Sequence, residues 1–423
     1  MGEGFITRRG GAGAIEINGQ QVVAGEYMEP ISKFDTVFAN FIPEVLPVFH
    51  WDTTIDKLAN PDVSPPNTGR GTAFSPNGTY LSVAHDVSPF ITIYKRNGDT
   101  FTKLPNPDVL PAGAGFGTDF SPDGTYLSVG HLNSPFITIY KRNGDTFTKL
   151  PNPDVSPTGI GRGTAFSPNG TYLSVAHDNS PYIAIYKRNG DTFTKLPNPD
   201  VLPQNTGRGT AFSPDGTYLS VAHSDTPFVT IYKRNGDTFT KLPNPDVSPT
   251  EAGLGTAFSP NGTYLSVAHV GSPFITIYKR NGDTFNKLAN PDVLPENTGN
   301  GTAFSPDGTY LSVGHFRSPN IAIYKRNGDT FTKLPNPDVS PTGTGNGTAF
   351  SPNGMYLAVA HVGSPYIAIY KTTLTEGIPS YKEIFKADNL LPLPEGISDA
   401  GYALEDGITG EEKTIMSLFR TEE

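Results

Sequence analysis

The sequence predicts an all-β fold, a seven-bladed β-propeller with four strands to each blade, on three observations. A Phe-Ser-Pro core stands at Phe74, Phe120, Phe166, Phe212, Phe258, Phe304 and Phe350, so the interval is 46 residues each time, without insertion or deletion. A fixed period of roughly 20–50 residues marks a solenoid, propeller or array. Each period divides into four short strand patterns, the composition of a propeller blade. The fourth strand is missing after the last period and present before the first, which is how a ring of blades is closed.

Residues 1–50 precede the repeat and are expected to form a small β-rich arm. Within it Ala14–Ile17 and Gln21–Ala24 flank Asn18-Gly19, a hairpin signal. Phe38–Phe49 is apolar but broken by Pro43 and Pro47, which excludes a long helix. In the first repeat Gly71–Ser75 is strand one, followed by the turn Pro76-Asn77-Gly78. Tyr80–His85 is strand two and Ser88-Pro89 breaks the chain. Phe90–Arg96 is strand three, Asn97-Gly98 a tight turn, and Thr100–Leu104 strand four. Pro105, Pro107 and Pro111 carry a long link to the next repeat. The pattern stops at Lys371, where no Asn-Gly-Asp-Thr-Phe follows. Thr53–Val63, TTIDKLANPDV, matches Thr100–Val109, TFTKLPNPDV, so Thr53–Leu58 is expected to pair with Tyr366–Lys371 and shut the ring. The expected domains are therefore 1–50, 51–371 and 372–423, the last an acidic segment packing with the N-terminal arm. Tyr381–Phe385 and Lys413–Leu418 are candidate strands of that segment, and Asp388–Pro394 is broken by proline.

Composition excludes several classes. Pro and Gly make 86 of 423 residues, yet Phe and Tyr are plentiful, so the chain is turn-rich and not disordered. There is no Cys, hence no disulfide and no thiolate site. No apolar run is long enough to span a bilayer as a helix, and Met1–Gly13 lacks the apolar centre of a signal peptide. The net charge of −10 is uneven: residues 1–50 hold six acids and three bases, residues 372–423 eleven and four, and the repeat region 24 of each. A neutral repeat region argues against nucleic acid, which needs clustered Lys and Arg.

Phe-Ser-Pro-Asp-Gly at Phe120–Gly124, followed by Tyr-Leu-Ser-Val, resembles the first turn of WD-repeat and YVTN-type propellers. The resemblance covers about 320 residues. It implies the fold and says little of function, since propellers host many. Strand three ends in Ile-Tyr-Lys where WD repeats have Trp-Asp, and the Gly-His before strand one is absent. The terminal stretches MGEGFITRRGGAG and AGYALEDGITGEEKTIMSLF resemble terminal segments of bacteriophage structural proteins. That resemblance implies a virion protein whose ends dock to other virion proteins and whose ring is displayed.

Seven histidines close strand two: His85, His131, His177, His223, His269, His315 and His361. His is a common metal ligand, but equivalent positions on separate blades stand around a ring and do not converge. Local bonding is the expected role, with no metal and no cofactor. Asp99, Asp145, Asp191, Asp237, Asp283 and Asp329 follow Asn-Gly and read as turn residues. Asp62 and its six counterparts precede the long link; calcium binding is the sharper reading and turn bonding the expected one. Gly69-Arg70-Gly71 and its counterparts read as loop ends before a strand.

The repeats differ in the link ahead of strand one and in the pair after each His, two segments that emerge on one face. The expected binding face is Arg70, Phe116, Arg162, Arg208, Leu254, Asn300, Phe316, Arg317 and Asn346. Phe116, Leu254 and Phe316 are read as exposed loop tips, which mark a contact surface. The expected function is a non-enzymatic virion component of tail fibre or particle surface, binding a host-surface protein or glycan through the propeller loops, as a homo-oligomer in the particle. The expected location is the virion, or otherwise the cytoplasm. The alternatives are a cellular scaffold that binds another protein, and a hydrolase resembling the lactonases with YVTN-type blades. Against catalysis stands the symmetry of the blades, which Asp119 alone breaks by replacing an Ala.

Overall fold

The computed structural model describes residues 55–372 and, outside them, the strand residues 6–7, 14–17, 20–23, 402–403 and 415–416. The chain divides into two units, Phe49–Thr373 and the two terminal segments Met1–Val48 with Leu374–Glu423. In the terminal unit Ala14–Ile17 pairs with Gln20–Val23, Ile17 opposite Gln20, and the Asn18-Gly19 turn expected between them lies outside the described residues. Ile6–Thr7 adds a third strand, and Tyr402–Ala403 pairs with Ile415–Met416. The expectations for Phe38–Phe49, Tyr381–Phe385 and Asp388–Pro394 lie outside the described residues.

The larger unit is a seven-bladed propeller of four-stranded antiparallel sheets. In blade one the strands run inner to outer as Gly69–Phe74, Tyr80–His85, Ile91–Asn97 and Thr100–Lys103. Blade seven borrows its outer strand from the start of the chain. Ile55–Lys57 pairs with Ile367–Thr372 in the register Tyr370↔Lys57, Lys371↔Asp56 and Thr372↔Ile55. The closure expected from the missing fourth strand is thus present, over a shorter span.

The inner strand starts at Gly69, two residues before the sequence expectation. The register shifts between Gly69 and Gly71, so the Gly-x-Gly segment is a bulge within the strand and not a loop end. Both glycines are demanded by close approach. A Cβ at Gly69 would lie 2.3 Å from the Tyr366 carbonyl oxygen, and one at Gly71 would lie 2.5 Å from that of Phe116. Both neighbours are backbone of adjoining blades, which a larger residue would push apart.

The core lies between blades. Tyr80, Ile91, Ile93 and Leu104 of blade one pack against Phe120, Leu127, Val129, Tyr140 and Phe147 of blade two. Tyr80 meets Phe147 edge-on, centroids 6.1 Å apart. At the rim the Tyr80 hydroxyl donates to Asp145 Oδ1 at 2.6 Å, and Lys95 Nζ donates to Asp145 Oδ2 at 2.7 Å. The Arg142 guanidinium lies over the Tyr80 ring, 5.1 Å from its centroid. The same clasp crosses the closure, where Tyr356 and Lys371 donate to Asp99. The Asn-Gly-Asp carboxylates, read from sequence as turn residues, therefore hold neighbouring blades together. Asp62 Oδ1 accepts from the amides of Val63 and Lys103, the second in the next outer strand. The first is turn bonding of the expected kind, and the second joins the link to the neighbouring blade, which the local reading did not include.

Candidate active site

The seven inner strands run side by side around a central channel, so each position of Gly-x-Gly-Thr-Ala-Phe forms its own ring. The x residues are Arg70, Phe116, Arg162, Arg208, Leu254, Asn300 and Asn346, and they form the ring at one mouth. Phe116 and Leu254 are therefore strand residues, half-buried, and not the exposed loop tips the sequence suggested. Phe316, 58% exposed, and Arg317 lie apart from that ring, in the connection between the second and third strands of blade six. They adjoin the link of their own blade, where the Phe316 amide donates to the Thr298 carbonyl at 3.0 Å.

Side chains of the mouth reach across blade boundaries. Arg162 lies over the Phe116 ring at 4.7 Å and Arg70 approaches the same ring at 5.9 Å. Asn300 Nδ2 donates to the Gly345 carbonyl and Asn346 Nδ2 to that of Gly69. Arg70 holds Asp86 through Nε and Nη2, both at 2.8 Å. Arg162 holds Asp178 in the same way at 2.7 and 2.8 Å. The two variable segments of each repeat thus meet on one face.

Further along the channel come the threonines, from Thr72 to Thr348, each almost wholly buried. Their hydroxyls stitch neighbouring blades, as where Ser82 Oγ and Thr118 Oγ1 lie 3.0 Å apart. Beyond that ring is a cavity of about 380 Å³ lined by Thr, Ala and Phe of the inner strands and by Asp119. Six blades place Ala at this level and blade two places the carboxylate. Asp119 Oδ2 accepts the Phe166 amide of blade three at 2.7 Å. Burial pushes its carboxyl up to about 7, against the opposing pull of the Phe166 and Phe120 amides. A carboxyl balanced near neutrality in a cavity has the properties of a general base. The sequence marked Asp119 as the odd residue; its placement in the cavity wall appears only in the fold.

The seven histidines are fully buried inside their own blades. His85, His131, His223 and His269 place Nε2 2.9 Å from the hydroxyls of Thr92, Thr138, Thr230 and Thr276. Burial lowers each of the seven to about 4, so they are neutral at ordinary pH. Among the described residues no three of His, Asp or Glu converge as metal ligands do.

A family profile described as "Lactonase, 7-bladed beta-propeller" matches residues 46–195. Among solved structures the chain is similar to hydrazine synthase of Kuenenia stuttgartiensis, at 16% identity and a TM-score of 0.58, over 75% of this chain and 99% of that one. It is similar to a chain of the mitotic checkpoint complex at 17% identity and 0.57, over 74% and 94%. It is also similar to the periplasmic gluconolactonase of Pseudomonas aeruginosa at 18% identity and 0.53, over 64% and 86%. At such identities these likenesses show the propeller fold alone. Comparison with curated proteins returned no significant match. The partial lactonase profile corrects the expectation of a protein without catalytic activity, since the family it describes is one of hydrolases. The phage resemblance rests on terminal stretches that lie largely outside the described residues, and the comparisons give it no support.

Proposed function

We propose that this chain is a propeller hydrolase of the lactonase type, which opens a cyclic ester by adding water to its carbonyl carbon. The observation that carries the reading is Asp119, a carboxylate set into the wall of the central cavity at a level where the other blades hold Ala. The reaction is written on this one base. Asp119 takes a proton from a water molecule as the water oxygen bonds to the lactone carbonyl carbon. The ring C–O bond then breaks, and the departing alkoxide takes the proton back from Asp119. The product is an open hydroxy acid. With a carboxyl near 7, the base form grows as pH rises through neutrality, so the rate should climb between roughly pH 6 and 8.

The test is acid release from five- and six-membered lactones, followed by pH-stat against spontaneous hydrolysis. Asp119→Asn keeps the size of the side chain and removes the base. It should lower kcat by about 100-fold or more. A wild-type rate no faster than buffer across the panel, or an unchanged rate in Asp119→Asn, would remove the basis for the proposal.

A further inference from the structure

We propose that Arg208 binds an external oxyanion, a carboxylate or a phosphate, in the place that Asp86 and Asp178 occupy on Arg70 and Arg162. The repeats supply the argument, because they show one site three times. Arg70, Arg162 and Arg208 occupy the same position of blades one, three and four. In blades one and three the residue sixteen positions on is Asp, and its two oxygens face Nε and Nη2 of the guanidinium. This is the paired geometry that makes Arg–carboxylate contacts strong. In blade four the corresponding residue is Ser224. Its hydroxyl meets Arg208 Nε at 3.3 Å and carries no charge.

Arg208 is nonetheless half-buried, like its two counterparts. A cation drawn out of water without a counter-charge is costly. No carboxylate among the described residues pairs with Arg208 directly, although Asp178 attracts it from a distance. Both oxygens of Asp178 are engaged by Arg162. Asp225 Oδ2 accepts from Asn205 Nδ2 at 3.2 Å and forms no ion pair with Arg208. Arg162 adds like charge nearby. The shorter serine thus leaves a fork of donors without a carboxylate at the channel mouth. The ligand class is a small molecule with two acceptor oxygens on one centre. The site does not depend on the hydrolase reading, although a substrate or product bearing an acid group would be held there.

The experiment is titration of the full chain with sodium gluconate and, separately, inorganic phosphate, against sodium chloride at equal ionic strength. Calorimetry and the ¹⁵N-detected Arg Nε–Hε signals give the readout. Saturable binding that moves one Arg signal is expected. Arg208→Gln should weaken it at least 10-fold. Ser224→Asp restores the carboxylate of blades one and three, fills the site from within, and should abolish binding while the chain stays folded. Whichever anion binds more tightly identifies the ligand class, and either supports the site. No saturable binding, or equal binding by wild type and Ser224→Asp, overturns it. Anion binding without lactone hydrolysis would sink the hydrolase reading and leave this site standing.

Discussion

The two ends of the channel carry opposite kinds of sequence on the same seven blades. At the end of the Ser-Pro-Asn/Asp-Gly turns, the Tyr, Lys and Asp of each clasp recur almost unchanged, because each bonds to the next blade. At the other end the ring position is Arg, Phe, Leu or Asn. There one blade touches the next through whatever side chain it has: a guanidinium over a ring, or an amide on a carbonyl. Identity therefore marks where a residue must fit its neighbour in every copy. Divergence marks where the scaffold tolerates more than one side chain. Asp119 is the informative exception, a single divergence placed inside the constant part of the channel.

The largest effect that tests the constant part is acidification. Seven buried histidines have a folded-state pKa of about 4, below the ordinary 6.5. The unfolded chain binds more protons between those values, so their contribution is full above pH 6.5 and is lost as pH falls toward 4. Each is worth up to about 3 kcal/mol. Together they exceed the roughly 5–15 kcal/mol of a typical domain. Unfolding followed by circular dichroism should therefore show collapse of the ring between about pH 5 and 4. An unchanged urea midpoint from pH 7 to 4.5 would contradict the burial of these rings.

Next is the seam against an internal blade. Ile55 and Phe147 occupy equivalent places, but Phe147 sits in a hairpin of its own blade while Ile55 is held by three paired residues. Both are buried. Ile55→Asp and Phe147→Asp should each cost about 4 kcal/mol or more. Only Ile55→Asp should also free an edge and raise the mass seen by light scattering. Equal, monomeric destabilisation of both would show that the N-terminal strand is not the closure.

Asp119→Ala restores the residue of the other blades. Because its folded-state pKa is raised to about 7, the carboxyl destabilises increasingly as pH rises from its ordinary 3.8 through 7. The substitution should stabilise by up to about 4 kcal/mol at pH 8 and by less than about 1 kcal/mol at pH 4. Chemical denaturation at the two pH values measures the difference, and loss of stability at pH 8 would refute it.

Much of this architecture was legible in the chain. The period gave the blades, and the strand missing after Lys371 gave the closure. What escaped was whatever depends on a neighbour in an adjoining blade. Asp145 looks like a turn residue because its turn is local, while its partners Tyr80 and Lys95 are in another blade. Gly69 and Gly71 look like loop punctuation because the carbonyls they approach belong to other blades. Once those glycines are placed in the strand, Phe116 and Leu254 move from loop tips to the channel mouth. The oddity of Asp119 was visible by alignment of the repeats; the burial that adjusts its carboxyl was not.

The smallest expected effect lies within the constant set, where the histidine layer is not uniform. Opposite His177, His315 and His361 stand Ala184, Ala322 and Ala368 in place of Thr, and the Nε2 of those three rings has no hydrogen-bond partner. Ala184→Thr supplies the hydroxyl that Thr92 gives His85. A hydrogen bond so restored is worth about 1 kcal/mol. The residue two places earlier complicates the gain. It is Phe wherever the threonine is present, and Tyr182, Asn320 or Tyr366 wherever it is Ala. Tyr182 stands just before the strand at a φ of 67°, so strand alternation does not place it beside Ala184, and the coupling rests on the matched change of the two positions across the seven blades. Ala184→Thr alone should raise the urea midpoint slightly at constant m. Combined with Tyr182→Phe, which completes the blade-one pattern, it should reach the full increment. A loss in the single variant that the second substitution repairs would show that packing couples the pair. A loss that persists in the double variant would mean that the hydroxyl is not what the imidazole lacks.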